Sequence, residues 1–102
     1  MEYFTEQVIS LISQIPFGKV VSYGQVSRAC GKPRAARQVV RILKIYSPKL
    51  DLPWHRVINS KNMISLGKGN GYEEQKSRLI AEGIIFTDSD RIDPKQYRWD
   101  VE

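Results

Sequence analysis

The residue types best suited to chemistry are concentrated at residues 52–58, which read Leu-Pro-Trp-His-Arg-Val-Ile. The single histidine of the chain, His55, stands here between Trp54 and Arg56. Pro53 fixes its own φ angle and disfavours a helical conformation at the residue before it, so we expect a stiff turn. Such a turn can present an aromatic face, a general base and a cation at one place. A buried tryptophan beside a structural histidine is the simpler interpretation, and these residues alone leave it open.

A nucleophile for such a site is harder to find. A thiolate is an intrinsically strong nucleophile, and Cys30 is the only cysteine. We expect it at the end of a helix beside Gly31, where a lone cysteine is most often a small buried hydrophobic residue. Trp54 cannot attack, because its indole nitrogen is a donor without an available lone pair. With one cysteine and one histidine, a protein-only zinc site is also disfavoured, so no metal or other cofactor is expected.

Length and composition favour one small domain over residues 1–102. A chain of this length builds a single, modest core. It has no apolar run long enough to cross a bilayer and no signal-peptide pattern. We therefore expect a cytoplasmic protein without a membrane partner.

The net charge of +5 is unevenly distributed along the chain. No Asp or Glu occurs between Gln7 and Leu50, a stretch that contains eight Lys and Arg residues. Most acidic residues come later, and the tail, about residues 87–102, is acidic. A basic half of this kind favours a polyanionic partner, with nucleic acid as the leading candidate. A solvated basic surface is the alternative.

Apolar spacing predicts the first two helices. The first has Thr5 as its N-cap, continues to Ile15 at helical spacing, and is stopped by Pro16. Ser22 is predicted to cap a second helix over residues 23–29. The first helix carries no group suited to chemistry and is expected to serve the core.

A third helix, predicted from Arg34 to Ile45, completes a helix-turn-helix pattern, since a tight turn with Gly31 precedes it. At 100° per residue, its four cations fall within an arc of about 80°; they are Arg34, Arg37, Arg41 and Lys44. Such charges repel each other unless something anionic lies against them, as DNA phosphates would. The small Ala35 and Ala36 would allow a close approach to a backbone. A solvated basic stripe is the simpler alternative.

The rest of the chain carries fewer signals. Residues 46–52 are predicted to form a loop because they contain a Ser-Pro turn signal. A final amphipathic helix is predicted over residues 73–82, with Leu79 and Ile80 inward. Glu82 would be slightly unfavourable at a helix C-terminus, which favours a role for it in a site. The tail is expected to pack back on the domain.

Five ordered stretches of the chain resemble O6-alkylguanine-DNA alkyltransferases. They are Ile-Pro-Phe-Gly-Lys-Val at 15–20, Ser-Tyr-Gly-Gln at 22–25, Ala-Ala-Arg-Gln-Val at 35–39, Pro-Trp-His-Arg-Val-Ile at 53–58 and Glu-Gly at 82–83. The transferases have Pro-Cys-His-Arg-Val at the fourth stretch. Tryptophan in place of that cysteine marks the alkyltransferase-like proteins, which bind alkylated guanine in DNA but cannot remove the alkyl group. The resemblance implies a mainly α, single-domain fold with a winged-helix-like helix-turn-helix, as in the C-terminal domain of the transferases.

The resemblance also implies roles for individual residues. Arg37 matches the arginine that fills the gap left by an extruded base. Tyr23 matches the tyrosine that rotates the target nucleotide by crowding its phosphate, and Glu82 matches the glutamate that orients the active-site histidine. Docking in the minor groove is implied, and we expect these residues at the DNA: Tyr23, Arg34, Ala35, Ala36, Arg37, Arg41 and Lys44. The expected lesion pocket consists of Tyr23, Trp54, His55, Arg56 and Glu82, while the glycine-rich loop at 67–71 lacks the Tyr-Ser-Gly-Gly of the transferases and its contacts stay open.

These features together predict a non-enzymatic sensor of O6-alkylguanine in double-stranded DNA. It would flip the modified base without alkyl transfer and mark the lesion for nucleotide excision repair proteins. We expect a monomer that acts on the nucleoid in a bacterial cytoplasm. Two alternatives stay open, namely a general helix-turn-helix DNA-binding or regulatory protein and a residual alkyltransferase that uses Cys30.

Overall fold

The structure is a computed structural model that describes residues 2–101. In this part of the chain the elements are α1 (Tyr3–Ser13), β1 (Val21–Ser22), α2 (Tyr23–Ala29), α3 (Ala36–Leu50), a 3-10 helix η1 (Trp54–Arg56), β2 (Val57–Ile58), α4 (Tyr72–Ala81) and α5 (Pro94–Tyr97). The predicted mainly α class with a helix-turn-helix, formed by α2 and α3, is confirmed. None of the described helices has both the length and the apolar character needed to cross a membrane.

The two short strands connect the halves of the domain. They pair in parallel, with Val21 opposite Val57 and Ser22 opposite Ile58, and all four residues are buried. Since β1 leads directly into α2 and η1 leads directly into β2, this pairing ties η1 to the beginning of the helix-turn-helix.

Buried apolar side chains form two clusters. The first joins α1, α2 and α3 and includes Phe4, Val8, Ile12, Val26 and Val39. The second joins β2, α4 and the tail and includes Ile58, Leu79, Ile84, Ile92 and Tyr97. Apolar burial of this kind provides most of the stability of a small domain.

α2 begins as predicted, at Ser22. The Ser22 hydroxyl accepts a hydrogen bond from Gln25 N at 3.0 Å, and Gln25 Oε1 accepts one from Ser22 N at 3.1 Å. This reciprocal arrangement is a capping box, and it satisfies two backbone donors at the helix start. Gln25 Nε2 also donates to the Trp99 carbonyl at 3.1 Å, so the tail is fastened to the same helix end.

The predicted N-cap of α1 is wrong. The helix begins at Tyr3 with Glu2 at the N-cap position, and Thr5 is buried in its first turn. The earlier start places Phe4 on the same helical face as Val8, and both side chains are buried in the first cluster.

α3 begins at Ala36, later than predicted. Arg34 therefore lies in the preceding turn, which is closed by a hydrogen bond from Ala35 N to the Lys32 carbonyl at 3.1 Å. The side of α3 opposite the cations faces the core, as helical spacing predicts for its apolar residues, and Val39, Ile42 and Leu43 are buried there.

α3 also ends later than predicted, so the loop proposed for residues 46–52 is wrong. Pro48 lies inside the helix, although it has no N–H to donate to the Lys44 carbonyl. Tyr46, two residues before the proline, packs against the first cluster. The helix ends at Leu50, and the C-cap residue Asp51 has a left-handed φ of 52°.

α4 lies close to its predicted position, but only one of its two predicted inward residues is inward. Leu79 is fully buried, whereas Ile80 is 54% exposed. Consecutive helical residues point about 100° apart, so the second cluster accommodates only the first of them.

The tail packs on the domain, as predicted. Val20 N donates to the Tyr97 carbonyl and Trp99 N donates to the Val20 carbonyl, both at 2.9 Å. The Tyr97 hydroxyl accepts a hydrogen bond from Ile85 N at 3.1 Å. These bonds anchor the strand segment that leads into α2.

Candidate nucleic-acid interface

The outer face of α3 carries positive charge without a protein counter-charge. Arg37, Arg41 and Lys44 are exposed along the helix, and Arg34 is exposed in the turn before it. Within residues 2–101, none of the four forms an ion pair. The two alanines between Arg34 and Arg37 are half-buried. This surface, called the basic face below, is suited to a polyanion.

A cavity of about 230 Å³ lies beside the basic face. One stripe of α3 at helical spacing and three residues from other segments line it: Val40, Leu43, Lys44, Ser47 and Pro48, together with Tyr23, Trp54 and Leu66. Most of these side chains are apolar. Lys44 belongs both to the cavity wall and to the basic face, so the two surfaces are continuous.

Tyr23 lines the cavity from the first turn of α2. The Ser22 cap fixes where this helix begins. The Tyr23 hydroxyl forms a hydrogen bond with Ser65 Oγ at 3.2 Å, which orients the ring. Tyr23 and Trp54, two residues expected in one pocket, are therefore brought together.

Ring and charge contacts hold Trp54 in place. The Arg78 guanidinium carbon lies over the indole, 5.6 Å from its centroid, and Arg78 is itself paired with Glu74 at 2.8 Å. The His55 ring meets the indole nearly at a right angle, with centroids 6.2 Å apart and an interplanar angle of 86°. A cation over the face and an edge-on ring are both favourable aromatic contacts. They fix the ring that lines the cavity.

Glu82 is the centre of a hydrogen-bond network behind η1. Its side chain is only 7% exposed. Oε1 accepts hydrogen bonds from Gly18 N at 2.8 Å and Arg56 Nε at 3.0 Å. Oε2 accepts from Arg56 Nη2 at 2.8 Å and His55 Nε2 at 2.6 Å. Burial raises the pKa of Glu82, but hydrogen bonds from Arg56, Gly18 and His55 outweigh it and lower the pKa to about 2.

The ionised Glu82 determines the tautomer of His55. Because a carboxylate only accepts hydrogen bonds, Nε2 carries the hydrogen and Nδ1 of the neutral ring has the free lone pair. Nδ1 is buried and has no hydrogen-bond partner within residues 2–101. Gln75 Nε2 holds the His55 backbone carbonyl at 3.0 Å. In the neutral ring, Nδ1 would therefore be a hydrogen-bond acceptor without a donor among residues 2–101.

The five residues predicted for the lesion pocket fall into two groups. Tyr23 and Trp54 line the cavity. His55, Arg56 and Glu82 are absent from its described lining and instead form the network that supports η1. Direct contact of these three with a bound base stays a prediction.

Cys30 lies apart from this constellation, as a small buried residue. It is 8% exposed and belongs to the first apolar cluster. It borders a separate depression between α1 and α2, with Leu11 and Ala29 among its neighbours. Burial raises the pKa of the Cys30 thiol, which disfavours the nucleophilic thiolate.

Among residues 2–101 there is also no cluster of three or more His, Cys, Asp or Glu that could hold a metal ion.

Sequence reasoning predicts no site role for Arg78 or for five of the eight described residues that line the cavity, which are Val40, Leu43, Ser47, Pro48 and Leu66. Ser47 and Pro48 fall in the predicted loop, although their spacing from Val40 continues one helical stripe through the proline. Arg78 had no local signal, because its contact with Trp54 joins segments far apart in the chain.

Comparisons with known sequences identify a family and relatives of this chain. The family "6-O-methylguanine DNA methyltransferase, DNA binding domain" matches residues 3–84. The chain is 43% identical over 96 residues to the "DNA base-flipping protein" of Escherichia coli (strain K12), covering 94% of this chain and 74% of that protein. It is 36% identical over 104 residues to "Alkyltransferase-like protein 1" of Schizosaccharomyces pombe, covering 97% of this chain and 96% of that protein.

Solved structures are similar as well. S. pombe Atl1 in complex with damaged DNA containing O6-carboxymethylguanine matches with a TM-score of 0.84 and 37% identity, over 98% of this chain and 97% of that one. Mycobacterium tuberculosis OGT in complex with DNA matches with a TM-score of 0.68 and 28% identity, over 80% of this chain and 50% of that one. The chain therefore belongs to the family of the 6-O-methylguanine DNA methyltransferase DNA-binding domain, and it is an alkyltransferase-like protein.

Proposed function

We propose that this protein binds O6-alkylguanine in double-stranded DNA, flips the modified nucleotide and holds its base in the cavity beside Trp54. The observation that carries this proposal is the continuity of the two surfaces at Lys44, which is exposed on the basic face and also lines the cavity. The names of the relatives, a DNA base-flipping protein and an alkyltransferase-like protein, support the same function. So does the S. pombe complex with damaged DNA.

The basic face docks against the phosphates that flank the minor groove. Arg34 and Arg41 are exposed and unpaired within the described chain, so they can replace the counterions of the duplex. Arg37 enters the stack in place of the extruded base, where a planar guanidinium can stack and donate hydrogen bonds. Tyr23, at the wall of the cavity, crowds the phosphate of the target nucleotide.

The cavity receives the flipped base and its substituent. Extrusion costs a few kcal/mol, and less for a base whose pairing is damaged, so a poorly pairing O6-alkylguanine leaves the helix more readily than guanine. Contact with the Trp54 indole stabilises the extruded base, since aromatic stacking is worth about 1–3 kcal/mol per base. The apolar wall suits an alkyl group and does not require one particular size.

Alkyl transfer does not follow binding. The His55 Nδ1 atom has no thiol beside it within the described residues, and the only thiol, at Cys30, is buried at another depression. The lesion complex therefore persists. We propose that this persistence recruits nucleotide excision repair proteins, and that the protein acts as a monomer on the nucleoid in the cytoplasm.

Affinity measurements on matched duplexes test the proposal. Fluorescence anisotropy would compare duplexes that differ only in a central guanine, O6-methylguanine or O6-benzylguanine. We expect tighter binding to both modified duplexes and, by mass spectrometry, an unchanged protein mass. Equal affinity for all three duplexes would instead identify a general helix-turn-helix DNA-binding protein. A stoichiometric gain of one methyl group would identify an alkyltransferase, and Cys30→Ser would then locate the acceptor.

The link to repair needs its own experiment. Purified nucleotide excision repair proteins would incise the O6-methylguanine duplex with and without this protein. We expect more incision of the modified strand when the protein is present, and no change on the unmodified duplex. Unchanged incision of the modified duplex would contradict the proposed recruitment.

A further inference from the structure

We infer that two polar residues of the cavity wall form a subsite for the O6 substituent. Lys44 selects substituents that end in a carboxylate over neutral substituents of the same shape, and Ser47 donates a hydrogen bond to either kind. This inference rests on the proposed function, since it requires the modified base to enter the cavity. It adds to that function a preference within the class of O6-alkyl groups.

Lys44 is the charged residue of the wall. None of the eight described residues that line the cavity carries a carboxylate, and Lys44 forms no ion pair within residues 2–101. Its ammonium group has three donors and no acceptor. A ligand carboxylate would therefore meet a positive charge that the protein itself does not neutralise.

Ser47 supplies a hydroxyl in need of a partner. Its Oγ atom is buried and forms no hydrogen bond within the described residues. A helical serine often bonds to the carbonyl four residues earlier, but this one does not use the Leu43 carbonyl. Burying an unsatisfied hydroxyl is costly. Rotation about χ1 towards the cavity that Ser47 lines would let the hydroxyl donate to a ligand oxygen and recover that cost.

The two polar groups lie on one side of α3. Lys44 and Ser47 are three residues apart, a spacing that brings side chains within about 5–6 Å at their Cβ atoms. Val40 and Leu43 line the same wall four residues earlier than Lys44 and Ser47, and Pro48 follows them. The two polar residues are thus bordered by apolar residues of the same helix. The Tyr23 hydroxyl, on another wall of the cavity, is already bonded to Ser65.

Charge separates a carboxylate from its neutral isostere. A primary amide has nearly the same shape and can also accept from Ser47, but the Lys44 ammonium attracts only the anion strongly. Because Lys44 is exposed, solvent screens the attraction, and we expect a preference of about two- to fivefold. The preference should decrease as ionic strength rises.

Two adducts and three variants test the inference. The duplexes contain O6-carboxymethylguanine or its neutral isostere O6-(2-amino-2-oxoethyl)guanine, with unmodified guanine as the reference. Lys44→Gln should bind both adducts equally. Arg41→Gln, a matched control on the same exposed helix face but outside the cavity wall, should weaken both adducts and keep the preference. Ser47→Ala should weaken both adducts relative to unmodified DNA.

The outcomes distinguish the subsite from the proposed function. If the wild-type protein binds both adducts more tightly than guanine, but with equal affinity, the subsite is overturned and the proposed function stands. Retention of the full preference in Lys44→Gln would also overturn the subsite. If neither adduct binds more tightly than guanine, the proposed function fails and the subsite fails with it. Loss of the preference in Lys44→Gln alone, with the control unchanged, supports the inference.

Discussion

His55 Nε2 lies 2.6 Å from Glu82 Oε2, so the two side chains are joined by a short, charge-assisted hydrogen bond. This pair has the arrangement of a general base and its orienting carboxylate. The other ring nitrogen, Nδ1, is nonetheless buried without a partner in the described chain. The pair therefore holds η1 and Trp54 in place, and Nδ1 is left without a hydrogen-bond partner among residues 2–101.

Acid stability should depend on Glu82. Its pKa is lowered from 4.5 to about 2 in the folded protein, so its contribution is present above about pH 5 and is lost as the pH falls towards 2. A shift of this size corresponds to roughly 2–4 kcal/mol in the free energy of unfolding. At neutral pH, we expect the free energy of unfolding of Glu82→Gln to be lower than that of the wild-type protein by this amount. As the pH falls, the free energy of unfolding of the variant should decrease less steeply. Urea unfolding at a series of pH values measures the free energy of unfolding of both proteins.

Glu74→Gln is the control for that experiment. Glu74 forms an exposed ion pair with Arg78, and exposed pairs contribute at most about 1 kcal/mol. The free energy of unfolding of Glu74→Gln should therefore depend on pH in the same way as that of the wild-type protein. If the Glu82→Gln curve runs parallel to the wild-type curve, the network does not control acid stability.

The basic face should determine the salt dependence of DNA binding. Arg34→Ala and Arg41→Ala should each weaken binding to modified and unmodified duplexes alike, because phosphate contacts carry no sequence information. Each substitution should reduce the slope of log affinity against log salt by about one charge. Exposed Lys61→Ala, outside this face, is the control. An unchanged slope in both arginine variants would show that α3 does not face DNA.

Base extrusion should depend on Arg37. Only the flipped state has a gap for a guanidinium to fill, so Arg37→Ala should cost more affinity on O6-methylguanine DNA than on unmodified DNA. Fluorescence of 2-aminopurine at the target position reports extrusion directly. Arg41→Ala, one turn further along α3, should weaken binding but leave the extrusion signal at saturating protein unchanged. Full extrusion with Arg37→Ala would reduce Arg37 to another phosphate contact.

Restoring the cysteine should not restore rapid alkyl transfer. Trp54→Cys places a thiol beside His55, but it also removes the ring on which Arg78 stacks and enlarges the cavity. Attack requires the thiolate within roughly 3–3.5 Å of the alkyl carbon. We expect retained binding with slow or absent transfer, measured by mass spectrometry after mixing with O6-methylguanine DNA. Rapid stoichiometric methylation would mean that only the sulfur was missing.

Local features of the chain were predictable from the sequence. The Ser22 cap, the helix after it and the inward face of α3 depend on interactions between residues a few positions apart. The same holds for the exposed cations Arg37, Arg41 and Lys44, since helical spacing alone places them on one side. The ordered family motifs identified the fold, because each occupies a short stretch in the expected order.

The tertiary structure decided how those features combine. α3 continues past Pro48, with Tyr46 packed against the first cluster, so Ser47 lies on the same cavity wall as Lys44 and not in a loop. The contact between Arg78 and Trp54 likewise joins segments that are distant in the chain, and local sequence patterns do not predict such a contact. Such contacts depend on the relative positions of whole helices, which the packing of two apolar clusters sets. The chain alone therefore specified which residues are basic, aromatic or capping, and only folding determined that one lysine belongs to both the basic face and the cavity.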